Sequence, residues 1–168
     1  MPRTYQAGSN LHGICEAQGR WYVETADLAD QDGRTVKLSD LRGGPVVVYF
    51  YPKAFTPGCT VEAHNFAEAT DKFAALGATL VGMSGDNIDT LKEFSVKECR
   101  NKFAVAADAD GKIMKKYDAN LAFLPSTADR ISYVISPEGK VVYTYSSMDP
   151  DDHVANTLKV IQDLHAKH

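Results

Sequence analysis

Cys59 is the side chain of this sequence best placed to do chemistry. It follows Pro57-Gly58 and opens a stretch in which Glu62, Phe66, Ala69, Phe73 and Leu76 recur at helical spacing, so its sulfur belongs to the first turn of a helix. Unpaired backbone N–H groups and aligned peptide dipoles favour negative charge there, and the thiolate is the nucleophilic form of cysteine. Immediately upstream, Val46-Val47-Val48-Tyr49-Phe50-Tyr51 is a continuous β-branched and aromatic run, which suits a strand covered on both faces of a mostly parallel sheet. Pro52 and Pro57 end it. The blander fate of a lone cysteine is to pack as a small hydrophobe, but strand, turn, cysteine and helix in this order argue for a nucleophile. Glu62 stands where a C-x-x-C motif would place its second thiol, which disfavours dithiol exchange.

Pro52, Thr56 and Cys59, within Pro-Lys-Ala-Phe-Thr-Pro-Gly-Cys, fit the P-x-x-x-T-x-x-C signature of the peroxiredoxins. The flanking Tyr-Phe-Tyr-Pro-Lys and Thr-Pro-Gly-Cys-Thr-x-Glu are similar to the peroxiredoxin Q branch, also called bacterioferritin comigratory protein. The likeness runs from about Gln31 to near the C-terminus, taking in residues 32–41, Asp108-Ala-Asp-Gly111 and residues 129–135. It implies a thioredoxin-like α/β fold of the peroxiredoxin type, a central mixed β-sheet flanked by helices. It also implies a thiol peroxidase acting on hydrogen peroxide and organic hydroperoxides, with no cofactor and no metal. Cys59 is then the peroxidatic nucleophile. Thr56, three residues before it, turns its hydroxyl toward sulfur and peroxide; backbone N–H groups of Gly58 and Cys59 donate to the substrate; Pro52 shields the pocket. Arg130, at the head of the alternating run Arg130 to Ile135, falls where the family's arginine contacts sulfur and peroxide. Charge logic agrees, because a guanidinium stays protonated and can hydrogen-bond a thiolate and a developing oxyanion together. Without the resemblance, Thr56 would read as a turn residue bonding its own backbone and Arg130 as a solvated edge charge.

The sequence departs from the branch at His64. Many members carry a second cysteine five residues after the first, and others carry it on the next helix, here near Ser95. Cys99 lies one helical turn beyond Ser95 on the same face and is the candidate resolving cysteine, provided that helix end unwinds. It reads equally as a buried neighbour of Phe94. Cys15 lies in a stretch without family match and reads as a free thiol. The preferred cycle therefore uses one cysteine, with a Cys59 sulfenic acid reduced by thioredoxin, glutaredoxin or glutathione. The alternatives are an atypical two-cysteine enzyme resolved by Cys99, or a non-enzymatic redox sensor. Glu62 reads as a first-turn carboxylate favourable to the helix dipole, at the cost of opposing thiol ionisation. Phe55 and Phe123 read as pocket walls tolerant of organic peroxides.

The 168 residues fit one domain, and 44% hydrophobic content can supply its core. Residues 31–168 form the expected domain, and residues 1–30, where the family pattern fails, an atypical N-terminal segment. Cysteines spaced 44 and 40 apart make neither a disulfide framework nor a zinc pattern, and fit a reducing compartment. A net charge of −4 argues against nucleic acid. The start lacks the apolar core of a secretory signal, and no run is long enough to span a membrane, so the expectation is a cytoplasmic monomer or homodimer. Downstream, the pattern predicts a strand over 78–84, a helix from Ile88 to about Lys102 and a strand over 103–107. A short helix over 113–117, a loop over 121–128 and a hairpin of strands from Arg130 and Val141 turning at 136–140 follow. A last helix carries Val154, Leu158, Ile161 and His165 on one face. A copper carrier using Cys59 and His64 is disfavoured, since side chains five apart on a helix diverge.

Overall fold

The computed structural model describes residues 3–6, 16–17, 20–21, 27–30, 35–37 and 44–167, the last without 101, 109, 118, 122–123, 125–126, 138 and 140. Five short strands come first: β1 (Arg3–Gln6), β2 (Glu16–Ala17), β3 (Arg20–Trp21), β4 (Asp27–Asp30) and β5 (Thr35–Lys37). The central strand β6 (Val46–Phe50) leads into α1 (Pro57–Ala75), then β7 (Thr79–Ser84), α2 (Ile88–Lys97), β8 (Ala104–Ala107) and α3 (Lys112–Lys116). The hairpin β9 (Ile131–Ile135) and β10 (Val141–Ser146) precedes α4 (Asp152–Lys167). Among the described residues the main sheet runs β1-β10-β9-β6-β7-β8-β4-β5, with β2 and β3 forming a separate ribbon. It is mixed: β6 is parallel to β7 and antiparallel to β9, and β7 is parallel to β8. Within the first 30 residues, β1 pairs with β10 and β4 with β8.

Strand β6 is buried along its whole length because the sheet is covered on both sides. Val46, Val48 and Phe50 face a layer with Ile113, Met114 and Tyr117 of and after α3. Val47, Tyr49 and Tyr51 face Ala63, Phe66 and Phe73 of α1, Leu91 and Phe94 of α2, and Ile161 of α4. The alternation of one strand's side chains thus supplies two cores. Tyr49 stacks on Phe66 with ring centroids 4.3 Å apart, fixing the sheet-to-α1 contact directly behind the Cys59 turn.

Two elements depart from the sequence reading. The helix expected to reach Lys102 stops at Lys97. Glu98 and Cys99 both donate backbone N–H to the Phe94 carbonyl, and Arg100 turns the chain at φ 53°, so Cys99 drops into the core ahead of β8 rather than continuing a helical face. On α4 the most buried positions are His153, Thr157 and Ile161; Ile161 was expected, whereas His153 and Thr157 stand one position before the expected Val154 and Leu158. Val154 and Leu158 are only half-buried and His165 is exposed. The polar members of that buried set are satisfied internally, Thr157 by donating to the His153 carbonyl at 2.7 Å. Pattern reading discounts such residues because it assumes that polar side chains face water.

Candidate active site

The site gathers at one end of the sheet. Because β9 runs antiparallel to β6, with Phe50 opposite Ile131, the residue preceding β9 lies beside the loop that leaves β6. That residue is Arg130, 71 positions from Cys59 and yet 3.4 Å from it, its Nη2 donating to the cysteine Sγ. Cys59 is buried, in the first turn of α1. Pro57 occupies the first helical position, where a missing N–H costs nothing. The first intrahelical bond runs from Thr60 N–H to the Thr56 carbonyl, so the N–H groups of Gly58 and Cys59 lie ahead of the helical ladder. Gly58 makes room: a Cβ there would sit 2.9 Å from Arg130 Nη2.

Arg130 is itself buried and held at three points. Its Nε donates to the Met148 carbonyl at 2.9 Å, Nη1 to Glu62 Oε1 at 3.1 Å and Nη2 to Cys59. Solvated edge charge is therefore not its role. Glu62 differs from expectation: it stands in the second turn of α1, not the first, and is fully buried against Arg130. Burial pushes its carboxyl up to about 8, against the pull of the guanidinium.

The turn carrying Pro52 to Thr56 is anchored from below. Asp86 Oδ2 accepts from Ala54 N–H at 2.7 Å and from Ser84 Oγ at 2.8 Å, tying the turn to the end of β7. Phe55 adopts φ 65°, a strained conformation for an aromatic residue, and is stabilised by edge-to-face packing on Phe94 of α2 with centroids 5.2 Å apart. Its ring is thus engaged with α2, while the other expected wall, Phe123, lies outside the described residues. Pro52 is half-buried beside Tyr51. The Thr56 hydroxyl departs from expectation, since its proton goes to the Lys53 carbonyl at 2.7 Å rather than to sulfur. Its oxygen lone pairs remain as acceptors.

Cys59 and Cys99 are both free thiols in the same apolar layer. Burial, with Glu98 adding, pushes the Cys99 thiol up to about 12, so it is a poor nucleophile where it lies. His64, where the resemblance leads one to expect a second cysteine, meets Glu98 Oε2 at 2.6 Å across the α1–α2 junction. Cys15 lies outside the described residues. Among the described residues no cluster of three His, Cys, Asp or Glu side chains is arranged to hold a metal ion, and no helix is long and apolar enough to cross a membrane. The sequence reading missed His153 and Ser132, which close the site behind Glu62. Ser132 was visible as the one polar residue on the Ile131–Ile135 strand facing the α4 side, but His153 gave no signal apart from its neighbours.

Comparison with known proteins agrees with this geometry. The AhpC/TSA family profile matches residues 23–144. The chain is 40% identical over 138 residues to a chloroplastic peroxiredoxin Q of Oryza sativa subsp. japonica, covering 82% of this chain and 63% of the relative. It is 36% identical over 140 residues to peroxiredoxin Bcp of Escherichia coli strain K12, covering 79% and 89% of the two. The peroxidoxin BcpB of Mycobacterium tuberculosis superposes with a TM-score of 0.80 at 32% identity, over 86% of this chain and 96% of that one. A bacterioferritin comigratory protein of Xanthomonas campestris, studied for alkyl peroxide reduction, gives 0.78 at 26% identity over 83% and 92%. The chain therefore belongs to the AhpC/TSA family, in the peroxiredoxin Q and Bcp branch, with the thioredoxin-like fold of that family. It spans about 63% of the length of that Oryza sativa relative.

Proposed function

We propose that this chain is a thiol peroxidase that reduces hydrogen peroxide and organic hydroperoxides through Cys59. The observation that carries this reading is the contact of Arg130 Nη2 with Cys59 Sγ, 3.4 Å apart, at a helix N-terminus with glycine beside it. The Cys59 thiolate attacks the distal oxygen of the hydroperoxide; an S–O bond forms as the O–O bond breaks, and the leaving alkoxide takes up a proton. Arg130 stabilises the thiolate first and then the charge growing on the departing oxygen. The Gly58 and Cys59 N–H groups donate to the same oxygens, Thr56 Oγ1 accepts from the peroxide O–H, and Pro52 limits water. Alkyl peroxide reduction by the Xanthomonas campestris relative supports organic hydroperoxides as substrates.

The cycle closes through an external thiol of the thioredoxin, glutaredoxin or glutathione class. One thiol condenses with the Cys59 sulfenic acid, releasing water and leaving a mixed disulfide; a second displaces Cys59 as thiol. Histidine at position 64 and the buried, weakly acidic Cys99 favour this one-cysteine route. The test is peptide mapping after one equivalent of hydrogen peroxide, with a sulfenic-acid trap present. A trapped adduct on Cys59 is expected. A Cys59–Cys99 disulfide would replace the route with internal resolution, and unmodified Cys59 would overturn the peroxidase reading.

A further inference from the structure

Behind Arg130 lies a buried group that the reaction above does not use. His153, the second residue of α4, has no exposed surface and sits among elements carrying Glu62 and Cys59 (α1), Tyr49 (β6), Arg130 and Ser132 (before and in β9), Tyr145 (β10), and Asp129 and Asp149 in the flanking loops. Its Nε2 is 2.8 Å from the Ser147 carbonyl, which can only accept, so Nε2 carries the ring proton. In the neutral ring Nδ1 is then an acceptor, and it takes the Ser132 hydroxyl proton at 2.8 Å. Nδ1 is also 3.7 Å from Glu62 Oε2. That oxygen is buried and has no hydrogen-bond partner among the described residues, whereas Oε1 accepts from Arg130.

The Nδ1 edge of a neutral Nε2–H imidazole is the negative end of the ring dipole even with its lone pair taken up by Ser132, so an anionic carboxylate oxygen 3.7 Å away is unfavourable there; the same oxygen bearing a proton is not. The opposite assignment, imidazolium against carboxylate, would put a second buried cation beside Arg130. We propose that His153, fixed as its neutral Nε2–H tautomer by Ser147 and Ser132, is a positioning residue that keeps a proton on Glu62 Oε2, leaving the charge of Arg130 to the Cys59 sulfur. Burial and the nearby guanidinium push the His153 ring down to about 4, in keeping with a neutral imidazole. With Glu62 ionised, two anions share one guanidinium and the sulfur loses part of its stabilisation. With Glu62 protonated, Arg130 still has its geometric anchor on Oε1.

The inference rests on the peroxidase reading, and its test separates the two. In the whole protein, the second-order rate of Cys59 oxidation by hydrogen peroxide should fall on the alkaline side as Glu62 ionises. In Glu62→Gln that limb should vanish. His153→Asn places an amide donor toward Oε2 and should move the limb down by about one pH unit, which for a carboxyl near 8 lowers the rate at pH 7 about twofold. In the Glu62→Gln background the same His153 substitution should lose most of that effect. A His153→Asn rate reduced equally at every pH, or equally in both backgrounds, would mean a packing role and overturn the proposal. Should that variant not fold, infrared spectra of the wild type decide: a protonated-carboxyl stretch at pH 7, missing in Glu62→Gln, is expected, and its absence from the wild type overturns the proposal. If Cys59 proves unreactive, the infrared result still stands or falls by itself.

Discussion

Gly58→Ala should separate the chemistry of this site from its stability. The added Cβ would lie 2.9 Å from Arg130 Nη2 and 3.5 Å from Cζ, and Nη2 is the nitrogen that reaches Cys59 Sγ. A free arginine tip would swing aside at little cost. This one is held at Nε by the Met148 carbonyl and at Nη1 by Glu62, so the clash is relieved mainly by withdrawing Nη2 from the sulfur. Hydrogen bonds to charged groups contribute roughly 1.5–3 kcal/mol, which converts to a rate loss of about 10- to 150-fold if the contact is made in full in the transition state. Folding should move the other way or hardly at all, because alanine inside α1 is worth about 0.5–1 kcal/mol over glycine, against the strain of the displaced guanidinium. The assay is competition of the variant and a haem peroxidase for limiting hydrogen peroxide, run beside urea unfolding. A wild-type rate in a folded variant would refute the claim that guanidinium–sulfur contact drives the reaction.

Arg130→Ala removes the cation that holds the Glu62 carboxyl down, so the carboxyl should rise further and keep its proton past pH 8, and the stability lost relative to the wild type should be distinctly larger above pH 8 than at pH 6. Combining it with Glu62→Gln should flatten that difference in urea titrations at the two pH values. Wild-type stability should itself depend on pH. The Glu62 carboxyl goes from an ordinary 4.5 to about 8 on folding, so the fold holds a proton that the unfolded chain has lost, and stability falls as pH rises through that window. His153 goes from 6.5 to about 4, so the unfolded chain binds a proton that the fold refuses, and stability rises with pH until about 6.5. The two trends oppose one another below 6.5, and the Glu62 decline alone remains from there to about 8. Urea midpoints that stay level across that upper range would contradict the raised carboxyl.

The segment around Cys59 was legible because everything it needs is local. A doubly covered strand shows as an unbroken β-branched and aromatic run, and proline and glycine mark where it must stop and where the next helix begins. The hairpin between Ile135 and Val141 was legible for the same reason, with Gly139 taking φ 89° at its turn. The helix before Cys99 was overextended because nothing in its sequence forbids another turn; packing of the Cys99 side chain into the core ends it. On α4, Ile161 was legible, but the buried His153 and Thr157 were passed over for Val154 and Leu158 because they are polar and hydrogen-bonded inside the fold.

Alone, the sequence singled out Cys59, placed it at a helix start and, through resemblance, pointed to the family of the fold. Tertiary structure decided what surrounds the sulfur. Arg130 reaches Cys59 across 71 residues only because β9 runs antiparallel to β6, and Glu62 turns from a helix-dipole partner into a buried acid only because α4 closes over it. Local propensity acts over a few residues, whereas the charge state of a buried group depends on every element packed against it. That is why the cysteine could be read from its neighbours in sequence and its electrostatics only from its neighbours in space.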